Sequence, residues 1–170
     1  MRARPPHRLT MEPGSRSPAP DAGAGITVTV AEPRWRASVP AVEALARRAA
    51  AAARRAARAR GTLALLLADD ATLHRLNARY RGRDYATNVL SWPGAEGGGD
   101  IAIGYGVAAR EARAMRRPLA RHLAHLVVHG TLHCAGRDHQ DARSARRMER
   151  EEALVLRRLG MPDPYRGAAR

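Results

Sequence analysis

Histidines recur along one short stretch, His125 to His139, which reads H-L-V-V-H-G-T-L-H-C-A-G-R-D-H and limits the fold more than any other part of the chain. His129 and His133 are four residues apart. On an α-helix this spacing stacks two imidazoles on one face, about one turn from each other. Gly136 follows where a helix end favours a residue able to adopt a left-handed backbone, so the chain can reverse there and return His139 towards the first two rings. Three neutral imidazoles converging on one point are the donor set of a catalytic zinc ion, with the fourth tetrahedral position left open. One Zn²⁺ held by His129, His133 and His139 is therefore expected. A lone helical histidine is ordinarily a surface or satisfied core residue, and His122, His125 and His129 make competing pairs on the same helix; a third histidine beyond a helix-stopping glycine is what favours the metal. His125, one turn before His129, is read as facing substrate or orienting a ligand ring, and His122 as a plain helix residue. Asp138 is either a partner that orients a ligand ring or a cap.

The spacing is that of the zinc-protease motif H-E-x-x-H-x-x-G-x-x-H, except that Gly130 stands in place of the glutamate. A helical glycine costs about 1 kcal/mol relative to alanine, so Gly130 marks a place where something approaches the backbone closely. Without the glutamate, peptide hydrolysis lacks its proton acceptor. A metal there would still lower the pKa of a bound water to ~7. Such a site suits a substrate that brings its own charge, such as a phosphodiester.

Charge points the same way. The chain of 170 residues carries a net charge of +14, and all 30 of its Lys and Arg residues are arginine. A small, strongly basic protein is steered towards polyanions, nucleic acid above all, although any single arginine is better read as part of a solvated face. Cys134 is the single cysteine, which excludes an intramolecular disulfide and fits a reducing cytoplasm; it reads as a small buried side chain. No apolar run approaches the ~20 residues of a membrane span, and the basic N-terminus has no hydrophobic segment of a secretory signal.

Along the chain, Ile26-Thr-Val-Thr-Val30 alternates β-branched residues, a strand pattern. Ser38 as N-cap, with Pro40 in the first turn, opens an alanine-dense helix running to about Arg60. Val42, Leu45, Ala49, Ala52 and Ala56 form its apolar stripe; Arg47, Arg48, Arg54, Arg55 and Arg58 form either a solvated face, the favoured reading, or a platform for RNA. Thr62 to Ala68 is a continuous apolar run, a central strand buried on both faces. Asp69 or Asp70 caps a short helix containing Leu73, Leu76 and Asn77. Arg79, Arg81 and Arg83 then crowd a loop with Gly82 and Asp84. Arg79 and Arg81 are candidate substrate contacts, Arg81 through its planar fork unless a salt bridge to Asp84 takes it. Strands are expected at 87–92 and, short and edge-like, at 100–103, and helices at 107–116, 118–134 and 141–159, the last ended by Gly160. Four strands and about five helices define a single α+β domain over residues 25–162, preceded by a disordered, basic Pro/Ala/Gly-rich extension at 1–24 and followed by a flexible tail at 163–170.

Leu76-Asn77, Tyr80-Arg81-Gly82, Thr87-Asn88-Val89-Leu90-Ser91, Gly99-Asp100-Ile101 and the histidine segment, followed by Met148 and Glu152, together resemble the bacterial YbeY family of zinc-dependent endoribonucleases over roughly residues 26 to 160. The resemblance implies a small mixed four-stranded sheet packed with helices. It matches His129, His133 and His139 to the family's zinc ligands and Arg81 to an arginine needed for RNA cleavage. It implies endonucleolytic cleavage of single-stranded RNA, in maturation of the 3′ end of small-subunit rRNA and in ribosome quality control, in the cytoplasm and with no membrane. Implied partners are RNA, the small ribosomal subunit and a ribosome-assembly GTPase. Cys134 and Ala135 stand where the family has larger aliphatic residues, and Arg137 where an aromatic is common. Two other readings stay open: a non-enzymatic assembly factor with structural zinc, against which a three-histidine site with an open fourth position argues, and a metal hydrolase of another substrate.

Overall fold

The computed structural model describes residues 25–137 and 141–165; the extension read over 1–24, Asp138, His139 and the end of the tail lie outside the described residues. In chain order the elements are β1 (Ile26–Val30), α1 (Arg34–Ser38), α2 (Val42–Ala56), β2 (Leu63–Ala68), α3 (Asp70–Arg81), β3 (Val89–Pro93), β4 (Gly99–Gly104), α4 (Tyr105–Ala114), α5 (Leu119–Cys134) and α6 (Ala142–Arg158). The strands form one mixed sheet in the order β1-β2-β4-β3. β1 pairs parallel with β2 and β2 parallel with β4, whereas β3 runs antiparallel to β4, Leu90 facing Ala102 and Pro93 facing Gly99. A mixed four-stranded sheet in one α+β domain is what the sequence predicts, with six helices among the described residues rather than about five.

Alternation along β2 explains its central place. Leu63, Leu65 and Leu67 join the larger core beneath α2, α5 and α6, and Leu66 and Ala68 join a smaller core with Leu73 of α3. Burial of each such leucine contributes roughly 1.5–3 kcal/mol. β4 is not the edge its short length suggested. Ile101 and Ile103 are buried on one face and Ala102 on the other, so β4 lies inside the sheet and β3 takes the edge; the polar Asp100 at its start concealed this.

Three helices differ from expectation. Ser38 caps nothing: it ends the extra helix α1, whose Trp35 is 0% exposed, donates its indole N–H to Ala68 O at 3.3 Å and stands edge-on to Tyr105. α2 starts instead after Ala41, which adopts a left-handed backbone with φ 50°. α3 is capped as expected by Asp69, which accepts from the Thr72 amide, but it continues to Arg81 and so takes in the segment read as an Arg-rich loop.

α5 is buried nearly all round, as befits the helix at the centre of a core; Leu123, Ala124, Leu126, Val127, Val128 and Leu132 pack into it. Gly130 has the predicted reason to be glycine, since a Cβ there would lie 3.0 Å from Ile101 Cγ2. Position 130 therefore faces the sheet, and a protease-like glutamate would drive a carboxylate into the core. Gly136, just past α5, has φ 80° and turns the chain as expected.

Candidate active site

The exposed side of α5 carries His125, His129 and His133. The His129 and His133 rings lie 5.0 Å apart between centroids, the adjacency that four-residue spacing predicts. What fixes His129 comes from α6. Glu152, 1% exposed, accepts from His129 Nδ1 at 2.7 Å on Oε1 and from His125 Nε2 at 3.0 Å on Oε2, and the Tyr165 hydroxyl donates to the same Oε2. Burial alone would push the Glu152 carboxyl up; the bonds from His125, His129 and Tyr165 together outweigh burial and hold it down at about 2. Burial first, then Glu152, pushes the Tyr165 hydroxyl up, so the phenol keeps its proton and donates it.

An ionised carboxylate on Nδ1 makes that nitrogen of His129 the donor and leaves the ring's lone pair on Nε2. This carboxylate–histidine arrangement is how a metal-binding imidazole is held in one tautomer. The donor set therefore fits a zinc ion at His129 and His133. Among the described residues, no cluster of three or more His, Cys, Asp or Glu completes a metal site. The third sequence-derived ligand, His139, lies outside them, as does Asp138. Cys134 is no donor: it is buried against Trp92 O, and burial pushes its thiol up to about 12. Arg137 forks onto Glu151 at 2.9 and 3.2 Å and ties the end of α5 to α6.

His125 and His129 open onto a cleft of 490 Å³ that is also lined by Asn88, Val89, Glu111 and His122. His122 is not the plain helix residue expected. It is buried, and its Nε2 meets Glu111 Oε2 at 2.8 Å. Asn88 donates to both Glu111 oxygens, at 3.1 and 2.9 Å. His125 turns its Nε2 towards Glu152 and the Tyr165 hydroxyl, the latter at 3.3 Å. Tyr165, in the segment read as a loose tail, thus packs on the site.

The arginines sit elsewhere. Arg79 and Arg81 lie on the last turn of α3, on the sheet face opposite α5, and neither lines the cleft. Arg81 Nη2 donates to Ser91 O on the edge strand β3 at 3.1 Å, while Asp84 pairs with His74 rather than with Arg81. Arg79 lies over the Tyr80 ring at 5.5 Å. Sequence reasoning gave no role to Glu152, Glu111, Asn88 or Tyr165. For Glu152 a signal existed: it falls on the buried stripe of α6 with Met148, Val155 and Leu156, where a charged residue needs a partner.

A mixed sheet bearing one central helix, with paired imidazoles backed by a buried carboxylate beside a cleft, defines a class: small α+β proteins with a histidine–carboxylate site on the central helix. A family model described as Endoribonuclease YbeY matches residues 29–160. The chain is 46% identical over 162 residues to Endoribonuclease YbeY of Gluconobacter oxydans, covering 92% of this chain and 93% of that one. It is 48% identical over 141 residues to the Bordetella parapertussis protein of the same name, covering 80% and 88%. The solution structure of TM1509 from Thermotoga maritima shares the fold, with a TM-score of 0.54 at 21% identity over 85% of this chain and 99% of that one. The chain belongs to the YbeY endoribonuclease family.

Proposed function

We propose that this endoribonuclease binds one Zn²⁺ through His129, His133 and His139 and cuts single-stranded RNA at the mouth of the cleft that His129 lines. Its substrate on this reading is the 3′ end of small-subunit rRNA, and its setting is cytoplasmic ribosome maturation and quality control, with the small ribosomal subunit and a ribosome-assembly GTPase as partners. The observation that carries the reading is Glu152, a buried carboxylate on His129 Nδ1 at 2.7 Å, which a surface histidine would not need. The charge of +14 supports a polyanionic partner, and none of the described helices is long and apolar enough to cross a membrane.

Zinc, when bound, supplies a Lewis acid for a phosphoryl oxygen. The chain supplies the rest. Glu152 holds His129 in one tautomer and His125 in one orientation. Val89 and Leu126 exclude water from the cleft wall. Arg81 meets the RNA backbone as it passes β3, since its bond to Ser91 O uses one of five guanidinium donors; Arg79 adds charge beside it.

The test is cleavage of a single-stranded RNA ending in the small-subunit rRNA 3′ sequence, with zinc content measured on each preparation. Wild type should cut; His133→Ala should lose both zinc and cutting; Arg81→Ala should keep zinc and lose most cutting. Equal cutting by all three would overturn the reading. Zinc binding with no cutting by wild type would leave a zinc-containing assembly factor in its place.

A further inference from the structure

The cleft is larger than a metal centre requires. Beyond the histidines its walls are Val89, Ala114, Met115 and Leu126. Apolar walls do nothing for a phosphate, but they suit the faces of a flat heteroaromatic ring. At the polar end stands Glu111, with 36% of its side chain exposed. A carboxylate has about four lone-pair sites. Asn88 takes one on each oxygen and His122 takes a second on Oε2, so the remaining acceptor is on Oε1, held rigidly in a cleft with apolar sides. The Tyr165 ring lines the same cleft, edge-on to His125 at 5.6 Å between centroids, and offers a surface of the kind on which single-stranded bases stack.

We propose that this cleft is a nucleobase subsite beside the scissile phosphate, selective for bases that carry an exocyclic amino group. The inference rests on the reading of the chain as an enzyme that cuts single-stranded RNA. Adenine, cytosine and guanine each bring an amino N–H to Glu111 Oε1. Uracil has carbonyls where the others have amino groups, and its single ring N–H is flanked by two of them. Presenting a uracil carbonyl to Glu111 sets acceptor against acceptor, and the ring N–H can reach Oε1 only by bringing a carbonyl against the carboxylate on either side, so the last acceptor of Glu111 gains less from uracil than from an amino group. Asn88 and His122 are positioning residues here: they hold the carboxylate and take no part in the contact. The plainer role for the Asn88–Glu111–His122 array, a staple between α4, α5 and the start of β3, predicts no base preference at all.

The experiment measures binding of 2′-O-methyl homotrinucleotides of A, C and U, which resist cleavage, to the zinc-loaded full chain. The A and C trinucleotides should bind about ten-fold more tightly than U. Glu111→Gln preserves volume but can donate to a uracil carbonyl, and should bring U level with A and C. Should that variant fold poorly, Met115→Arg keeps the test open: Met115 is 42% exposed, and an arginine there would take up the Glu111 acceptor and erase the preference. Equal binding of the three by wild type, or a preference that survives in Glu111→Gln, would overturn the subsite. The same preparations are tested on unmodified RNA. Cutting without base-selective binding defeats the subsite alone, and base-selective binding without cutting defeats the nuclease reading alone.

Discussion

At the scale of single residues, the decisive group is Glu152. A buried charge is tolerated only when paired and hydrogen-bonded, and His125, His129 and Tyr165 together meet that condition. Removing it frees the His129 ring to turn and to change tautomer. Glu152→Ala should weaken zinc binding by about 10–100-fold, read by competition with a chromogenic chelator, and Glu152→Gln, which keeps the volume, should fall between it and wild type. His122 makes a different prediction. Burial, opposed by the bond to Glu111, holds its pKa below the ordinary value; the groups that act on it are Glu111, His125 and Arg117. The unfolded chain takes up this proton near pH ~6.5 and the folded chain only at lower pH, so stability is full above ~6.5 and falls as pH drops through that window. His122→Gln, which can still donate to Glu111, should flatten the dependence of Tm on pH between about 7 and 5. The adjacency of His129 and His133 was legible because a four-residue spacing has one meaning on a helix. Of the groups behind the pair, Glu152 left only the trace of a charge on an apolar stripe, and Glu111 and Tyr165 left none, because they reach the site from other segments and no spacing within the sequence records that meeting. His122 was misread for the same reason: its partner is eleven residues away on α4.

Among the elements, α1 shows where pattern reading stops. Five residues between Pro33 and Val39 are too few for a helical period, and Trp35 alone shows that something is buried there. Trp35 plugs the end of β2 through Ala68 O, so Trp35→Ala should cost about 3–5 kcal/mol, seen as a lower urea midpoint with an unchanged slope. Long periodic stretches fared better. α5 and α6 agree with their sequence bounds to within a residue or two, since Pro118 and Asp141 mark their starts. Strand positions were legible from β-branched alternation and apolar runs; strand order was not, because neighbours β2 and β4 are parallel partners 36 residues apart in register, Leu63 with Gly99. α3 outran its expected end because Arg79, Tyr80 and Arg81 are sound helix residues and the stop falls at Gly82, with φ 64°.

Across the whole molecule, charge and architecture divide the work. The positive charge brings RNA near without specifying it, so log K for a single-stranded oligonucleotide should fall linearly with log salt; about four phosphate contacts would give a slope near −3, measured by fluorescence anisotropy. Arg81→Ala should make that slope shallower by somewhat under one unit, whereas Glu111→Gln should leave it unchanged. The packing of α5 has a further consequence, for how such an enzyme can be altered. Every face of that helix but the histidine side is locked against the core, Gly130 against Ile101 most closely. A library that randomises α5 would therefore return mostly insoluble protein. Variation aimed at Ala114 and Met115, which line the cleft and are exposed rather than packed in the core, is where new cleavage preferences can be selected without rebuilding the scaffold.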